Sequence, residues 1–524
     1  MIFEDPIKTL CVEVPAGWVY NPFDSTLTDF VFVRWDRPEE LMVVHVRRAS
    51  VPASRPDEEW VEKIRSEIGA ASAFMDRTSH HGRAVAADFK SKGGITQRVG
   101  FVRGPHVELV IEQRTAEPAT QDLWGPLDKA ILTSVSDANL DIQGDFGPEE
   151  LNNSVKAANA AFEKNDDAAI VDALQQSIKI GTSAWLQSMA IPESALEINA
   201  SVRAAQATAH LGLFTGNPFL LRDADFVLRR AQHSLEASGL KTDWAQELGM
   251  QISEMLKSIW SELLEQTDAK NDSMISPILA LRERGFRLAH AAANAFEARD
   301  SGNAYNFAVA AVDDLLSLIS FLRGNRSQEI PEEIAAHLSE QGIADQEGQR
   351  NAIQKAREAL LFPALNMAFQ IRSCCALERQ DSAGALEAAA VHAPLARLIF
   401  DENQEDAGTV LSYALTMMDF AGSAALLSEN DKLDEATHRL DEAARILDTI
   451  SDRRSGNDIW IRNHKRQIEG SLQAIDSSRK AAKQSGAALL ESNISALHSQ
   501  FQSIAARFQE AVAKTIPPAA HAES

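Results

Sequence analysis

The amino-acid sequence reads as an α+β N-terminal domain, a curved antiparallel sheet with two helices, followed by a large all-α domain of helical repeats. Three observations carry that reading. Apolar residues alternate with period two over residues 1 to about 140, the spacing of half-buried strands. From about residue 148 the period changes to 3.6 and alanine dominates, as in amphipathic helices. A helix, polar turn, helix pattern then recurs. A chain of 524 residues also exceeds what one core holds. The expected divisions are a sheet domain over 1–138, a linker over 139–149, a helical-repeat domain over 150–516 and a disordered tail over 517–524.

The opening stretch CVEVPAGWVY (11–20) sets a strand and a tight turn. Val12 and Val14 share one face of the strand, Pro15 and Gly17 supply a chain reversal, and Trp18 clamps the turn onto the core. FVFVRW (30–35) is apolar on both faces up to Arg34, as in a central strand covered on both sides. In MVVHVRR, Met42, Val44 and Val46 alternate with His45 and Arg47; RAVAADFK and ITQRVGFV give two further half-buried strands. In HVELVIEQR, Val107, Leu109 and Ile111 oppose Glu108 and Glu112, and Arg103-Gly-Pro-His106 reads as a hairpin turn before it. Two segments break the alternation. DEEWVEKIRSEIG (57–69) places Trp60, Ile64 and Ile68 on one helical face with acids in its first turn. TQDLWGPLDKAILTSV (120–135) is the second helix, begun or kinked by Gly125-Pro126.

Beyond the linker, five helical hairpins turn near residues 165, 217, 301, 381 and 430. Alanine at the crossings permits close approach, and each hairpin must stack on neighbours to bury its stripe. The spacing of the turns is irregular. The domain therefore resembles tetratricopeptide repeats without their strict consensus.

Composition narrows the function. The net charge of -24 opposes nucleic-acid binding, which rests on clustered Lys and Arg, and opposes docking on anionic lipid. Residues 1–140 carry 16 basic against 21 acidic residues and the remainder 35 against 54, so the acidity belongs to the helical part. Cys11, Cys374 and Cys375 make a poor disulfide framework and suggest a reducing compartment. MIFEDPIKTL lacks the regions of a signal peptide, and no run of 18 apolar residues occurs, so a cytoplasmic protein without membrane insertion is expected.

No catalytic, cofactor or metal site is expected. The phosphate-loop, dinucleotide, nucleophile-elbow and HExxH patterns are absent from the sequence. His80 and His81 are neighbours, and adjacent strand residues point to opposite faces, so they read as a polar turn. Cys374 and Cys375, in IRSCCALER, read as small core residues. Asp166-Asp167 and Glu149-Glu150 read as helix starts, and RNHKR (462–466) and DRR (452–454) as solvated faces. Half of the eight tryptophans lie in the first 140 residues. Aromatic residues anchor interfaces, and Trp18, Tyr20, Trp35 and His45 are the candidate partner-binding residues.

Val14-Pro15-Ala16-Gly17-Trp18, FVFVRW, the helix with Trp60 and the closing DKAILTSV together resemble the PsbP/DcrB-like (Mog-type) superfamily, above all the Eag-type chaperones of type VI secretion effectors. The resemblance covers residues 5–137. It implies a curved sheet that binds a partner, in that family hydrophobic helices of an effector, and no catalysis. The expected function is a non-enzymatic bacterial adaptor or chaperone that grips one protein with its sheet and another with its acidic helical surface. The alternative is a regulatory component or protease substrate of a bacterial defence or signalling system, cleaved near 136–150 or in RGNRSQEIPEE (323–333).

Overall fold

Alternating apolar residues build two antiparallel sheets at the N-terminal end of the chain. The structure, a computed structural model, describes most of residues 2–115, 148–263, 277–324 and 345–515. Most of the expected linker, the helix at 120–135, His80-His81, most of 323–333 and the C-terminal tail lie outside the described residues. Strands β1 (Ile2–Glu4) and β2 (Cys11–Glu13) form a two-stranded sheet. Seven more are β3 (Trp18–Tyr20), β4 (Asp29–Arg34), β5 (Leu41–Arg48), β6 (Ala73–Ser79), β7 (Gly82–Lys90), β8 (Thr96–Arg103) and β9 (Val107–Thr115). They join in the order β3-β4-β5-β9-β8-β7-β6. Helix α1 (Asp57–Ile68) connects β5 to β6.

Strands β5, β7, β8 and β9 and helix α1 stand where their periodicity puts them. Strand β4 is buried on both faces as expected, yet it is second from the edge rather than central. Strand β2 does not pair with the strand that follows Trp18. Gly17 takes φ 83°, a left-handed conformation that glycine adopts without penalty, and turns the chain from the small sheet into the large one.

The pleat gives the large sheet two apolar faces. One carries Val85, Val99, Phe101 and Val110 under Trp60, Val61 and Ile64 of α1. The other carries Phe30, Phe32, Met42, Val44, Leu109 and Ile111. Glu108 is fully buried rather than solvated. Its carboxylate accepts from Trp60 Nε1 at 2.9 Å, Ser50 Oγ at 3.0 Å and Arg47 Nε at 2.5 Å.

The helices are α2 (Pro148–Lys164), α3 (Asp167–Ser188), α4 (Ala195–Thr215), α5 (Pro218–Ser238), α6 (Asp243–Leu263), α7 (Pro277–Glu297) and α8 (Ser301–Gly324). They continue as α9 (Gln346–Ala359), α10 (Phe362–Glu378), α11 (Ser382–Glu402), α12 (Ala407–Leu427), α13 (Asn430–Asp448), α14 (Asp458–Ser485) and α15 (Ala488–Thr515). All five expected turns fall between helices. The described ones share a device. A carboxylate or amide caps the second helix: Asp166 accepts from Ala169 N at 3.1 Å, Asn217 from Phe219 N at 3.0 Å, Asp300 from Asn303 N at 3.1 Å and Asp381 from Gly384 N at 2.9 Å. The residue before the cap is left-handed at Gly216, Arg299 and Gln380. Two helices, α8 and a stretch of α11, have the length and apolarity of a membrane span, and 67% and 59% of those spans are buried inside the protein.

The chain divides into two compact units, and the division does not follow the change of texture near 148. Residues 1–284 and 316–328 form the first, residues 285–315 and 329–524 the second. The sheets therefore share a unit with α2–α6, which corrects the expected boundary. The physical reason is the second sheet face. Strands β1 and β2 lie on it, with Phe3 at 5.2 Å from Phe32 and 4.7 Å from Tyr20, and Phe226 of α5 comes to 5.0 Å of Tyr20. Arg230 of α5 is fully buried, donates to Asp5 Oδ1 at 2.5 Å and lies 4.7 Å above the Phe30 ring. Asp5 Oδ2 accepts from Thr9 N at 3.0 Å, and Trp185 Nε1 donates to Thr9 Oγ1 at 2.7 Å.

The second unit packs around Ile475, Ile494, Leu497 and Phe501 with Met417 and Met418 of α12. A polar seam runs inside it. His392 Nε2 lies 2.8 Å from Asn366 Oδ1, Thr416 Oγ1 lies 3.2 Å from His392 Nδ1, and Gln370 Nε2 donates to Ser412 Oγ at 3.3 Å. Asp419 lies in the same core with the Ser471 hydroxyl at 3.4 Å. Burial raises its carboxyl well above the ordinary range, against the opposing effect of the Ser373 and Ser471 hydroxyls.

Removing one partner of a buried ion pair leaves the other charge uncompensated. Asp5→Ala is expected to cost about 3–5 kcal/mol in urea unfolding, and the double replacement Asp5→Leu with Arg230→Met to recover most of it. In the second unit the folded state holds the Asp419 proton more tightly than the unfolded chain does. Stability from this group is therefore full below the ordinary carboxylate range and falls as pH rises toward the raised value. Asp419→Asn should unfold at a higher temperature than the wild type at pH 7, with the difference closing near pH 4; an unchanged difference across that range would contradict the assignment.

Candidate functional site

The four residues expected to face a partner do not form a surface. Trp18, Tyr20 and Trp35 are buried by the chain itself, at 3%, 1% and 6% exposure. Tyr20 sits among Phe3, Phe32 and Phe226, burial raises its hydroxyl, and its carbonyl accepts from Ser317 Oγ at 2.5 Å. Arg323 lies 5.2 Å above the Trp35 ring. His45 alone of the four is half-exposed; its Nδ1 lies 2.9 Å from Asp29 Oδ1, a bond that lowers the Asp29 carboxyl. Long-range packing, absent from local sequence, corrects the expectation for the three aromatics.

The cysteines pack as expected. Cys374 and Cys375 are buried against Ala292, Phe296, Ala304 and Ala308. Burial raises both thiols, Cys375 to about 12, the opposite of what a nucleophile requires.

The described residues hold a cavity of about 640 Å³ among α2, α3, α4 and α6, within the range of ligand sites. Helix α4 is mostly alanine and small residues, but Arg203, Gln206, Ala207 and His210 recur at helical spacing and line the cavity. Arg203 Nη1 donates to Gln206 Oε1 at 3.1 Å, which fixes the direction of the guanidinium. His210 lies exposed on the rim, and the partial burial of its ring lowers the imidazole. Phe162 and Glu163 line the side formed by α2, and Leu174 and Ser177 that of α3. The Phe162 ring stands 6.4 Å from His210 and 6.2 Å from Phe214, edge to face, and both phenylalanines are exposed, at 37% and 40%. Gln251 of α6 adds a carbonyl oxygen that is buried and has no hydrogen bond.

Packing behind the cavity is close. Gly181 of α3 lies against the backbone of Ala204, where a Cβ would come within 2.8 Å of its nitrogen. Trp260 Nε1 donates to Asp225 Oδ1 at 3.0 Å and ties α6 to α5. Burial pushes the Asp225 carboxyl up, but Arg229 and Arg284, at 3.0 and 2.7 Å, outweigh it and hold the group at about 2.

Sequence reasoning did not single out these cavity residues. Their signal was the recurrence of Arg, Gln, His and Phe at positions 203, 206, 210 and 214 along an otherwise small and apolar helix.

No known protein-family description matches the chain, and no curated protein matches it. A solved structure described as a circular tandem repeat protein with novel repeat topology and enhanced subunit contact surfaces covers 70% of this chain and 97% of its own. It is 16% identical with a TM-score of 0.20, and a similarity at that level carries no argument about fold or function.

Gly181→Ala should force α3 from α4 and cost about 1–3 kcal/mol in thermal or urea unfolding; a neutral result would mean that the helices are not in backbone contact there.

Proposed function

We propose that the protein is a non-enzymatic adaptor or chaperone that binds a segment of a partner protein in the α2–α3–α4–α6 cavity. The observation that carries this reading is the pair of exposed rings, Phe162 and Phe214, set edge to face beside an open cavity. Aromatic side chains beside a pocket serve as anchors in protein interfaces because they bury large area at low entropic cost. The lining supplies hydrogen-bonding groups from Arg203, Gln206 and His210 for the backbone or polar side chains of an entering segment. Two further observations agree with a binding role. The thiols are raised by burial rather than activated, and the helical part carries most of the negative charge, which favours encounter with basic partners. Sparse cysteine usage fits the reducing cytoplasm of a bacterium. The resemblance of residues 5–137 to effector chaperones agrees with partner binding, with the difference that this sheet packs its apolar face on its own helix α5.

The test is co-purification of the tagged full chain from its native cells, compared with the Phe162→Ala/Phe214→Ala variant. The variant should keep its circular dichroism and melting temperature and should bind the captured partner at least about tenfold more weakly. Equal binding by the variant would overturn the assignment of the cavity.

A further inference from the structure

Two hairpins of the chain share a motif before the cap, Ala161, Phe162, Glu163 and Asp166 matching Ala295, Phe296, Glu297 and Asp300, and close differently. Residues 158–166 read ANAAFEKND and residues 293–300 read ANAFEARD. Counted from their capping residues Asp166 and Asp300, Phe162 corresponds to Phe296. The helices that pack against them, α4 and α10, precede the caps Asn217 and Asp381. Counted from those caps, Arg203, Ala207 and His210 correspond to Met367, Ile371 and Cys374. In the second hairpin Ile371, Cys374 and Cys375 bury Phe296 to 3% exposure, with Met367 packed against the same cluster. At the equivalent place in the first hairpin there is a cavity, and Phe162 is 37% exposed.

The difference is more than a missing side chain. Ile371 is matched by the shorter Ala207, which leaves room, while four apolar positions become polar. Met367 is matched by Arg203 and Cys374 by His210; Ala293 is matched by Asn159 and Ala311 by Ser177. Asn159, Glu163 and His210 are exposed and Arg203 and Gln206 half-buried, so the polar groups border an open, wetted concavity and not a sealed apolar hole. These groups line a site that meets polar chemistry.

We propose that this cavity selects a partner segment bearing an apolar side chain between an acidic and a basic residue. The proposal rests on the reading of the cavity as a partner-binding groove, and it names what the groove recognises. Arg203 and Glu163 line the cavity with opposite charges, and neither has an ion-pair partner among the described residues. The guanidinium, held by Gln206, receives the carboxylate of the acidic residue. The Glu163 carboxylate receives the basic residue. The apolar side chain enters against Phe162, Leu174 and Ala207, the place that Ile371 fills in the closed hairpin. The orphaned Gln251 Oε1 accepts a backbone N–H of the segment.

The experiment is selection of a random displayed peptide library on the full chain, with the Phe162→Ala/Phe214→Ala variant as background, followed by fluorescence anisotropy of the enriched peptides. Enriched sequences should carry an acid, an apolar residue and a base in one fixed order. Arg203→Glu should weaken them by about tenfold or more. The exchange variant, Arg203→Glu with Glu163→Arg, should reject them and bind peptides of reversed charge order. Apolar peptides without that pattern, bound equally by the exchange variant, would overturn the charge recognition and leave the groove standing. Failure of any peptide to be enriched above background would overturn the groove and the charge recognition together. A concentration-dependent dimer abolished by the exchange would assign the cavity to a second copy of the chain and overturn the proposal.

Discussion

The first unit depends on a buried charge. Arg230 is brought by helix α5 into the apolar space between two sheets, where the carboxylate of Asp5 is its ion-pair partner. Desolvating both groups costs several kcal/mol each, and geometry has to offset that cost. The arrangement supplies part of it: Asp5 also accepts a backbone N–H, the guanidinium lies on the face of Phe30, and Phe226 stands one turn before Arg230 on α5, beside Tyr20, while Arg230 Nε and Nη1 make no hydrogen bond among the described residues. An apolar contact tolerates sliding. A buried pair of opposite charges does not, because a shift of one helical turn would leave both charges unpaired. The pair therefore sets the register of α5 on the sheet, and with it the positions of α4 and α6 that enclose the cavity.

The helical part solves a different problem. Its helices approach closely through alanine and glycine, as where Gly181 lies against Ala204, while large Leu, Ile, Phe and Met side chains fill the space around the crossings. Specificity comes from the turns and from polar groups in the core. Four hairpin turns end in an Asx cap, and in the second unit the chain Asn366–His392–Thr416 threads hydrogen bonds between α10, α11 and α12. The cavity of the first unit lies beside an apolar cluster of Ala161, Ile170, Leu174, Ala207 and Leu211, where Arg203 and His210 stand in place of apolar residues of the second unit.

The legible parts of the sequence were local. Strands β5, β7, β8 and β9 were readable because the period is kept for several residues, although both faces of β7, β8 and β9 carry buried residues. Helix α1 was readable from Trp60, Ile64 and Ile68, and the hairpin turns from polar segments between alanine-rich runs. Strand β1 has three residues, too few to show a period. The burial of Trp18, Tyr20 and Trp35 depends on Phe226, Ser317 and Arg323, which lie far along the chain. In LRRAQ, Arg230 looks like any surface arginine, and its burial is decided by an aspartate 225 residues earlier. The candidate site was hidden for the same reason: Arg203 and His210 show a helical spacing, but the cavity exists only where α2, α3 and α6 surround them.

The long reach of these contacts has a consequence for the birth of the protein. The Tyr20 carbonyl waits for Ser317, which follows it by 297 residues. At a synthesis rate of roughly 5–20 residues per second, that interval is about 15–60 seconds. Throughout the first part of it the apolar sheet face that α5 covers has left the ribosome without its lid. The nascent chain thus passes through a period in which its most aromatic surface is uncovered.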